Sequence, residues 1–310
     1  MWKQPSLTPM LTLAPVRYAR ILRAAGGPVG LIALGRLRIG GVECYRAGAQ
    51  LSDRGSLPIG ERALFGPIDG SGTDRSPLLA RYKAISEALE RWAYHECHGS
   101  GRGDACGLHL DPTSSGMAAF PGLWKGQARR QARREAVERW CLVEWWAGLL
   151  EHRPLTVPYP GLSGIEIDNP IGRDRMVIIW GKLANGRVAY GYSAARSLRE
   201  ATWKALVEQT SCAEVLAELA DERAERDPAP WEDLKNELER RVLYYSSTVG
   251  HRRFRERLDK PVSTARNQAP SPVFDTEVPG PWSRYATVWR VLYPTRRRDH
   301  HDPESLTFFW

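Results

Sequence analysis

Two segments of this chain carry almost the same six residues. Residues 87–92 read E-A-L-E-R-W and residues 135–140 read E-A-V-E-R-W, so five of six positions are identical at an offset of 48. Around each copy, apolar residues recur at spacings of three and four, which is typical of an amphipathic helix. Each segment therefore predicts a long helix with one buried face and one acidic edge.

Three helices are predicted from this kind of periodicity. The first spans Ser76–His95, with an apolar stripe formed by Leu78, Tyr82, Ile85, Leu89 and Trp92. The second spans about 125–150, with inward-facing Ala132, Ala136, Val137, Trp140 and Val143. The third runs from Ser197 to about Ala220. Ser76 and Ser197 are suitable N-caps, and Glu200 would complete a capping box with Ser197.

The remaining segments predict strands and irregular chain. Strand–turn–strand patterns occur at 31–45 and 176–195, a closing strand at 285–294, and a further helix at 228–246. The ranges 66–76, 99–123 and 260–283 are rich in Gly, Ser or Pro and are interpreted as loops. Strands and helices do not alternate regularly, so the predicted fold class is α+β. Residues 1–30 are interpreted as a lead-in, and residues 31–310 as a single domain.

The polar edges of the three helices follow one pattern. The first helix places Lys83, Glu87 and Glu90 at i, i+4 and i+7. The second repeats this spacing with Gln131, Glu135 and Glu138, and the third has Lys204 and Glu208. One interpretation is solvent-facing carboxylates in i, i+4 pairs with arginine. The other is convergence on one pocket, where such carboxylates need cations and suit Mg²⁺ with a phosphate substrate.

The segments that carry these patterns resemble a known family. SPLLARYKAISEALERWAYHE, QARREAVERWCLVEWW, GYSAARSLREATWKALVEQ and TVWRVLYPT resemble, in this order and across roughly residues 30–295, the signature segments of the YcaO family. The resemblance implies a YcaO-like fold that binds ATP and Mg²⁺ without a P-loop. The chain contains no G-x-x-x-x-G-K-[ST] segment, in agreement with that implication.

The resemblance also implies roles for individual residues. The implied Mg²⁺ ligands are Glu87, Glu90, Glu135, Glu138 and Glu208. The implied ATP contacts are Arg139, Lys83, Lys204, Ser71 and Gly72. The sequence identifies no catalytic residue beyond these.

The activity implied by the resemblance is ATP-dependent activation of a peptide backbone amide. Family members phosphorylate the amide oxygen and form an azoline, a thioamide or an amidine, depending on the nucleophile. The implied partners are a ribosomally made precursor peptide, a separate leader-peptide-binding or activating protein, and a second copy of this chain in a homodimer. A degenerate, non-catalytic member that acts as a scaffold in a biosynthetic complex is the alternative.

Three features depart from the family pattern. Many family members have a further acid one to two turns before the second ExxER, where this chain has Gln127 to Gln131 and no carboxylate. Lys204 stands where relatives often have arginine, and lysine is a poorer bidentate phosphate ligand. The chain ends in SLTFFW instead of a Pro-rich tail. The missing acid predicts a weaker metal site, and the different C-terminal segment disfavours azoline chemistry.

Charge and composition limit the other possibilities. The net charge of +8 is concentrated at 125–134 and at Arg296–Arg298, which suggests an anionic partner. No nucleic-acid-binding motif accompanies it, so nucleic acid is not expected. No apolar run is long enough to cross a bilayer and no signal peptide is evident, so a cytoplasmic location is predicted.

Cysteine and histidine residues suggest a further alternative. The five cysteines are odd in number and widely spaced, which disfavours a disulfide framework. A zinc site remains open at His95, Cys97, His98, Cys106 and His109, although this spacing matches no standard site. A cysteine nucleophile at position 97 or 106 is a less favoured possibility.

Overall fold

The computed structural model describes residues 12–52, 68–110, 115–223, 237–260, 269–295 and 308. Its strands and α-helices in chain order are α1 (Ala14–Arg17), β1 (Val29–Ile39), β2 (Val42–Leu51), β3 (Gly70–Asp74), α2 (Pro77–Gly99), β4 (Ser115–Phe120), α3 (Lys125–Trp146), β5 (His152–Leu155), β6 (Leu162–Ile167), β7 (Arg175–Lys182), β8 (Val188–Ala195), α4 (Leu198–Arg223), α5 (Glu237–Ser246), α6 (Thr248–Asp259), β9 (Phe274–Glu277) and β10 (Thr287–Leu292). Mixed helices and antiparallel sheets confirm the α+β class.

The described residues form two compact units. The first takes its residues from Met1–Ile59, Gly66–Ala136 and Pro272–Tyr293. It contains two antiparallel sheets, in the orders β1-β2-β3 and β4-β10-β9. The second takes its residues from Val137–Ser271 and Pro294–Trp310 and contains one antiparallel sheet, β5-β6-β7-β8. The assignment of 31–310 as a single domain stays a prediction.

The first hairpin is fixed by its two-residue turn. Gly40 and Gly41 have φ values of 52° and 80°, the left-handed region that glycine enters without a Cβ penalty and that a type I′ hairpin turn requires at both central residues. The turn pairs Ile39 with Val42, and the register continues to Leu31 opposite Gln50. The predicted strand–turn–strand at 31–45 is therefore confirmed, with both strands longer than expected.

The first predicted helix is confirmed, and its buried face matches the predicted stripe at Ile85, Leu89 and Trp92 but not at Leu78. The Ser76 hydroxyl accepts a hydrogen bond from the Leu79 amide (3.4 Å), as an N-cap does. Leu78, placed in the predicted stripe, is 49% exposed. The buried face is Ala80, Ala84, Ile85, Ala88, Leu89, Trp92, Ala93 and Cys97. The alanines matter more than the larger residues because they let the helix backbone lie close to β3.

Three segments interpreted as loops contain strands. These strands are β3 within 66–76, β4 within 99–123 and β9 within 260–283. Glycine and proline in these segments favoured loops, and that interpretation is wrong here. In β3 and β4 the glycines are needed because a helix backbone packs directly on the strand. The sequence patterns did not predict helix α6 or strands β5 and β6 as separate elements.

An aromatic cluster forms the core of the second unit. Phe308 is fully buried, and its ring centroid lies 4.6 Å from that of Phe254 and 4.9 Å from that of Tyr190. Trp145 and Tyr245 are also fully buried and contact the same ring. Phe308, which belongs to the segment SLTFFW, is thus a core residue. Among the described helices, none has the length and hydropathy needed to span a bilayer.

Candidate functional site

One structural arrangement occurs three times and positions the predicted acidic residues. In each copy, a strand glycine lies against the helix backbone between an alanine carbonyl and the amide four residues further on. A glutamate follows that alanine by three residues. We call this arrangement the glycine–glutamate crossing. It occurs between β3 and α2, between β4 and α3, and between β8 and α4.

The three crossings match residue by residue. Each consists of a glycine, the alanine and amide that flank it, and the glutamate: Gly70 with Ala84, Ala88 and Glu87; Gly116 with Ala132, Ala136 and Glu135; Gly191 with Ala205, Gln209 and Glu208. A Cβ atom on any of the three glycines would lie well inside the 3.0 Å that real Cβ atoms keep from helix backbone. Only glycine therefore permits the approach.

The crossings extend the repeat found in the sequence. All three helices share the pattern Ala-x-x-Glu, whereas only α2 and α3 contain E-A-x-E-R-W. Equivalent positions one turn earlier are occupied by Lys83, Gln131 and Lys204. The sequence patterns did not identify Gly70, Gly116 and Gly191 as site residues. The alanines spaced four apart on each helix were a signal for them, because small helix residues allow a strand backbone to come close.

The β3 crossing holds Glu87 by both of its oxygens. The Ser71 amide and hydroxyl donate to Glu87 Oε2 at 2.9 and 3.0 Å. Arg91 Nη2 donates to Glu87 Oε1 at 2.9 Å. The implied site residues Ser71, Gly72, Lys83 and Glu87 are therefore brought together, but Lys83 Nζ contacts the Asp74 carboxylate (2.8 Å) and the Thr73 carbonyl (2.9 Å).

The β4 crossing orients Glu135 in the same way. Glu135 Oε2 accepts a hydrogen bond from the Met117 amide at 3.2 Å. Met117 directly follows Gly116, as Ser71 directly follows Gly70. In both crossings the strand amide next to the glycine therefore fixes one carboxylate oxygen, and the carboxylate is half-buried.

Strand β8 gathers predicted residues of the second unit. Its Ala194 amide donates to Glu138 Oε2 at 2.5 Å. Its Gly191 lies against the backbone on either side of Glu208, which is exposed. Lys204 Nζ lies 3.1 Å from Glu200 Oε1 on the same helix.

Two other predicted residues, Glu90 and Arg139, lie on the same two helices. Glu90 lies on α2 three residues after Glu87, and Arg139 directly follows Glu138 on α3. Both side chains are half-buried. Their roles in nucleotide or metal binding stay predictions.

The position of the missing family acid is occupied by a structural glutamine. Gln127 is 2% exposed, and its Oε1 accepts a hydrogen bond from the Trp124 amide at 3.1 Å. That bond satisfies a backbone donor at the start of α3. Gln127 therefore stabilises the helix start.

Much of the basic stretch 125–134 is paired within the first unit. Arg129 donates from Nε and Nη2 to the Asp275 carboxylate, and Lys125 Nζ lies 2.6 Å from Glu277. Arg133 Nε donates to the Tyr293 hydroxyl at 3.0 Å. Burial alone would raise the pKa of the Asp275 carboxyl, but hydrogen bonds from Arg129 and Trp289 lower it below its ordinary value. The cluster Arg296–Arg298 lies outside the described residues.

The zinc hypothesis finds no support. Within the ranges that the structure describes, which include all five proposed ligands, no three His, Cys, Asp or Glu side chains are placed to hold a metal ion. His109 contacts Asp104 at 3.3 Å instead. Burial, and next a hydrogen bond with Cys106, raises the pKa of the Cys97 thiol to about 12, which disfavours a nucleophilic thiolate.

The carboxylates suit Mg²⁺ by their donor chemistry. Hard oxygen ligands are what Mg²⁺ prefers, and a carboxylate that accepts one amide retains acceptor capacity. The described residues nevertheless contain no preformed cluster of three such groups. The fit is therefore one of ligand type, with orientation provided by the strand amides of Ser71, Met117 and Ala194.

Comparisons with known proteins reveal a shared fold. No protein-family model matches the chain, and no curated protein matches it significantly. A chain of the E. coli microcin synthetase McbBCD complex with pro-MccB17 bound is similar over 85% of this chain and 87% of that chain, with 12% identity and a TM-score of 0.54. A chain of the E. coli microcin synthetase McbBCD complex has 10% identity over the same shares and a TM-score of 0.49. At 12% identity the first likeness shows that this chain has the fold of a microcin synthetase chain.

Proposed function

We propose that this chain binds ATP and uses it to activate a backbone amide of a ribosomally made precursor peptide. One observation supports the proposal above the others: three glycine–glutamate crossings present glutamates at matching helix positions. These are the residues for which the YcaO resemblance implies metal binding. The fold shared with a chain of a microcin synthetase complex bound to pro-MccB17 supports the same class of chemistry.

The proposed reaction has three steps, which are addition, phosphoryl transfer and elimination. A nucleophile, either a neighbouring side chain or an external donor, loses its proton and adds to the amide carbonyl, whose oxygen becomes an oxyanion. That oxygen takes the terminal phosphoryl group of ATP, and ADP leaves. The carbon–oxygen bond then breaks, phosphate departs, and a proton leaves the amide nitrogen or the added group as the new double bond of the modified backbone forms. The overall products are ADP, phosphate and the modified peptide.

The chain's own residues would bind and orient the nucleotide. In the proposal, Glu90, Glu135 and Glu138, with Glu87 and Glu208, hold Mg²⁺ when it is bound, and the metal would neutralise charge on the phosphates. Arg139 would contact phosphate through its planar fork of donors. Lys83 and Lys204 would reach phosphate only after exchanging their present carboxylate partners, Asp74 and Glu200.

Partners form part of the proposal. The peptide would be presented by a separate leader-binding or activating protein, and two copies of this chain would form a homodimer. The complex named in the comparison contains several different subunits, which supports a requirement for partner proteins. The product class, whether azoline, thioamide or amidine, depends on the nucleophile.

Calorimetric titration of ATP into the purified protein, with and without Mg²⁺, tests the proposal. We expect binding that requires Mg²⁺ in the wild-type protein and in Glu96→Gln, a control at an exposed position of α2. Glu135→Gln keeps an oxygen that can accept from the Met117 amide but removes the charge. It should weaken Mg²⁺-dependent binding at least tenfold while changing the free energy of unfolding by less than about 1 kcal/mol.

The Glu135→Leu variant separates orientation from charge. It also leaves the Met117 amide without its carboxylate acceptor, which should lower the free energy of unfolding by about 1 to 3 kcal/mol. Absence of Mg²⁺-dependent ATP binding in the folded wild-type protein would contradict the proposal and would favour the non-catalytic scaffold.

A further inference from the structure

Strand β1 is an unusually long and open edge. In its sheet, with the order β1-β2-β3, it pairs along one side only, with β2. Near its start, the Val29 amide donates to the Ile21 carbonyl at 3.0 Å, which closes the outer side there. Beyond Val29, the part of the chain that the structure describes provides no neighbouring strand. Natural sheets usually protect such edges, because unpaired amides and carbonyls attract other extended chains.

The hairpin geometry identifies the outward backbone groups. The turn at Gly40 and Gly41 makes Ile39 and Val42 a hydrogen-bonded pair. Hydrogen-bonded and non-bonded pairs then alternate along an antiparallel ladder. The outward-facing amides and carbonyls after the bulge between Val29 and Leu31 are those of Ile32, Leu34, Arg36 and Arg38.

The side chains along this edge define what could pair with it. Leu34 is 48% exposed and Leu31 is 57% exposed, which is unusual for leucine in a strand. Arg36 and Arg38 share the face of Leu34 because side chains alternate along a strand. A strand paired with β1 would therefore contact apolar side chains along the first half of β1 and positive charges along the second half.

Charge around the edge favours an acidic occupant. Residues 12–51 contain six arginines and one glutamate, so this segment alone carries a net charge of +5. The single acid, Glu43, stands opposite Arg38, and the Arg36 guanidinium lies over the Tyr45 ring at 5.8 Å. Pairing of two copies through β1 would bring two strongly positive segments together, which costs electrostatic free energy.

From these observations we infer that the β1 edge binds an extended acidic polypeptide segment by strand addition. The segment pairs its backbone with the outward groups of Ile32 to Arg38. Its acidic side chains lie against Arg36 and Arg38, and its apolar side chains lie against Ile32 and Leu34. The inference rests on β1 alone and does not require the proposed ATP chemistry.

Fluorescence anisotropy with a synthetic probe tests the inference. The probe is a short labelled peptide that alternates threonine with glutamate in its first half and threonine with valine in its second half. We expect the full-length protein to bind it at low ionic strength, and to bind a version with lysine in place of glutamate at least tenfold more weakly. Binding should also weaken when salt is raised to about 0.5 M. Failure to bind the probe, or equal binding of both versions, overturns the inference.

Two substitutions at one position separate backbone pairing from side-chain contact. Leu34→Pro removes an outward amide, which an edge strand tolerates, and should weaken binding at least tenfold. Leu34→Thr retains that amide and should weaken binding by a smaller factor. Equal affinities for the two variants would overturn strand addition. Both variants should bind ATP as the wild-type protein does, so that loss of peptide binding is distinguished from loss of the proposed function.

Hydrogen exchange identifies the occupant. Addition of the probe should slow amide exchange within 29–39 and leave exchange in β6 unchanged. If these amides are already protected in the free protein, and if light scattering shows a dimer that Leu34→Pro converts to monomer, a second copy is the occupant and the inference is wrong.

Discussion

The crossing of β3 with α2 and the crossing of β8 with α4 use the same residue types in different surroundings. Strand β3 has two glycines against its helix, Gly70 and Gly72, and its Ser71 side is exposed. Strand β8 has Gly191 and then buried Ser193 on the helix side. Its opposite side carries Tyr190, which packs in the aromatic cluster. The crossing is therefore set by local glycine and alanine and does not depend on what covers the far side of the strand.

The first prediction concerns the aromatic cluster that contains Tyr190, where a substitution should change stability most. Phe308→Ala removes a fully buried ring that contacts five aromatic neighbours and should lower the free energy of unfolding by about 4 kcal/mol. Trp124→Ala, at a side chain that is 59% exposed, is the control and should change it by less than about 0.5 kcal/mol. Urea denaturation measures both. Equal effects would mean that the cluster does not stabilise the second unit.

The next effect tests whether both crossings depend equally on glycine. Gly70→Ala and Gly191→Ala each place a methyl group against helix backbone, which cannot move aside as a side chain can. Each should lower the free energy of unfolding by about 3 kcal/mol. Gly35→Ala, where a Cβ meets nothing within 4 Å, is the matched control and should change stability by less than about 1 kcal/mol. A tolerated Gly191→Ala beside a damaging Gly70→Ala would show that the crossings are not equivalent.

The third prediction concerns the pH dependence of stability that arises from one carboxylate in each unit, Asp275 in the first and Glu166 in the second. Burial would raise the pKa of both Asp275 and Glu166, but hydrogen bonds from arginine outweigh burial, and both pKa values lie below their ordinary values. A depressed folded-state pKa means that the unfolded chain binds the proton more tightly. The stabilisation is therefore present above the unfolded-state values of 3.8 and 4.5 and is lost as the pH falls through the folded-state values.

Acid titration of stability measures this effect. Because the arginine partners are partly exposed, each pair should contribute at most about 1 kcal/mol. Asp275→Asn and Glu166→Gln should each flatten the loss of stability between about pH 5 and pH 3. A variant whose acid limb matches that of the wild-type protein would show that its pair does not stabilise the fold.

The sequence was most informative where periodicity and capping coincide. Helices α2, α3 and α4 begin within two residues of their predicted starts, and the N-cap serines 76 and 197 each accept an amide hydrogen bond. The strand–turn–strand predicted at 176–195 is likewise observed as β7 and β8. These features depend on neighbouring residues, so a single sequence contains the information.

The misses have a common physical cause. Gly70 and Gly116 favour loops by local rules, but they lie in strands because a distant helix packs on them. Likewise, the basic stretch 125–134 suggested an anionic partner, yet Arg129 and Lys125 pair with acids about 150 residues away. Gln127, interpreted as a missing ligand, is a buried helix-start residue. Each outcome depends on tertiary contacts that a local pattern does not encode.

The glycine–glutamate crossing has a consequence for how distant relatives can be recognised. Its backbone contact requires a strand glycine, and in each copy a helical alanine with a glutamate three residues later faces that glycine, whereas the residues between them are free to change. Overall identity is then a poor measure of kinship for such a chain, because the constrained positions are few and scattered. A search for a strand glycine paired with a helical Ala-x-x-Glu, repeated three times in order, would find related proteins whose other residues have diverged too far to be aligned.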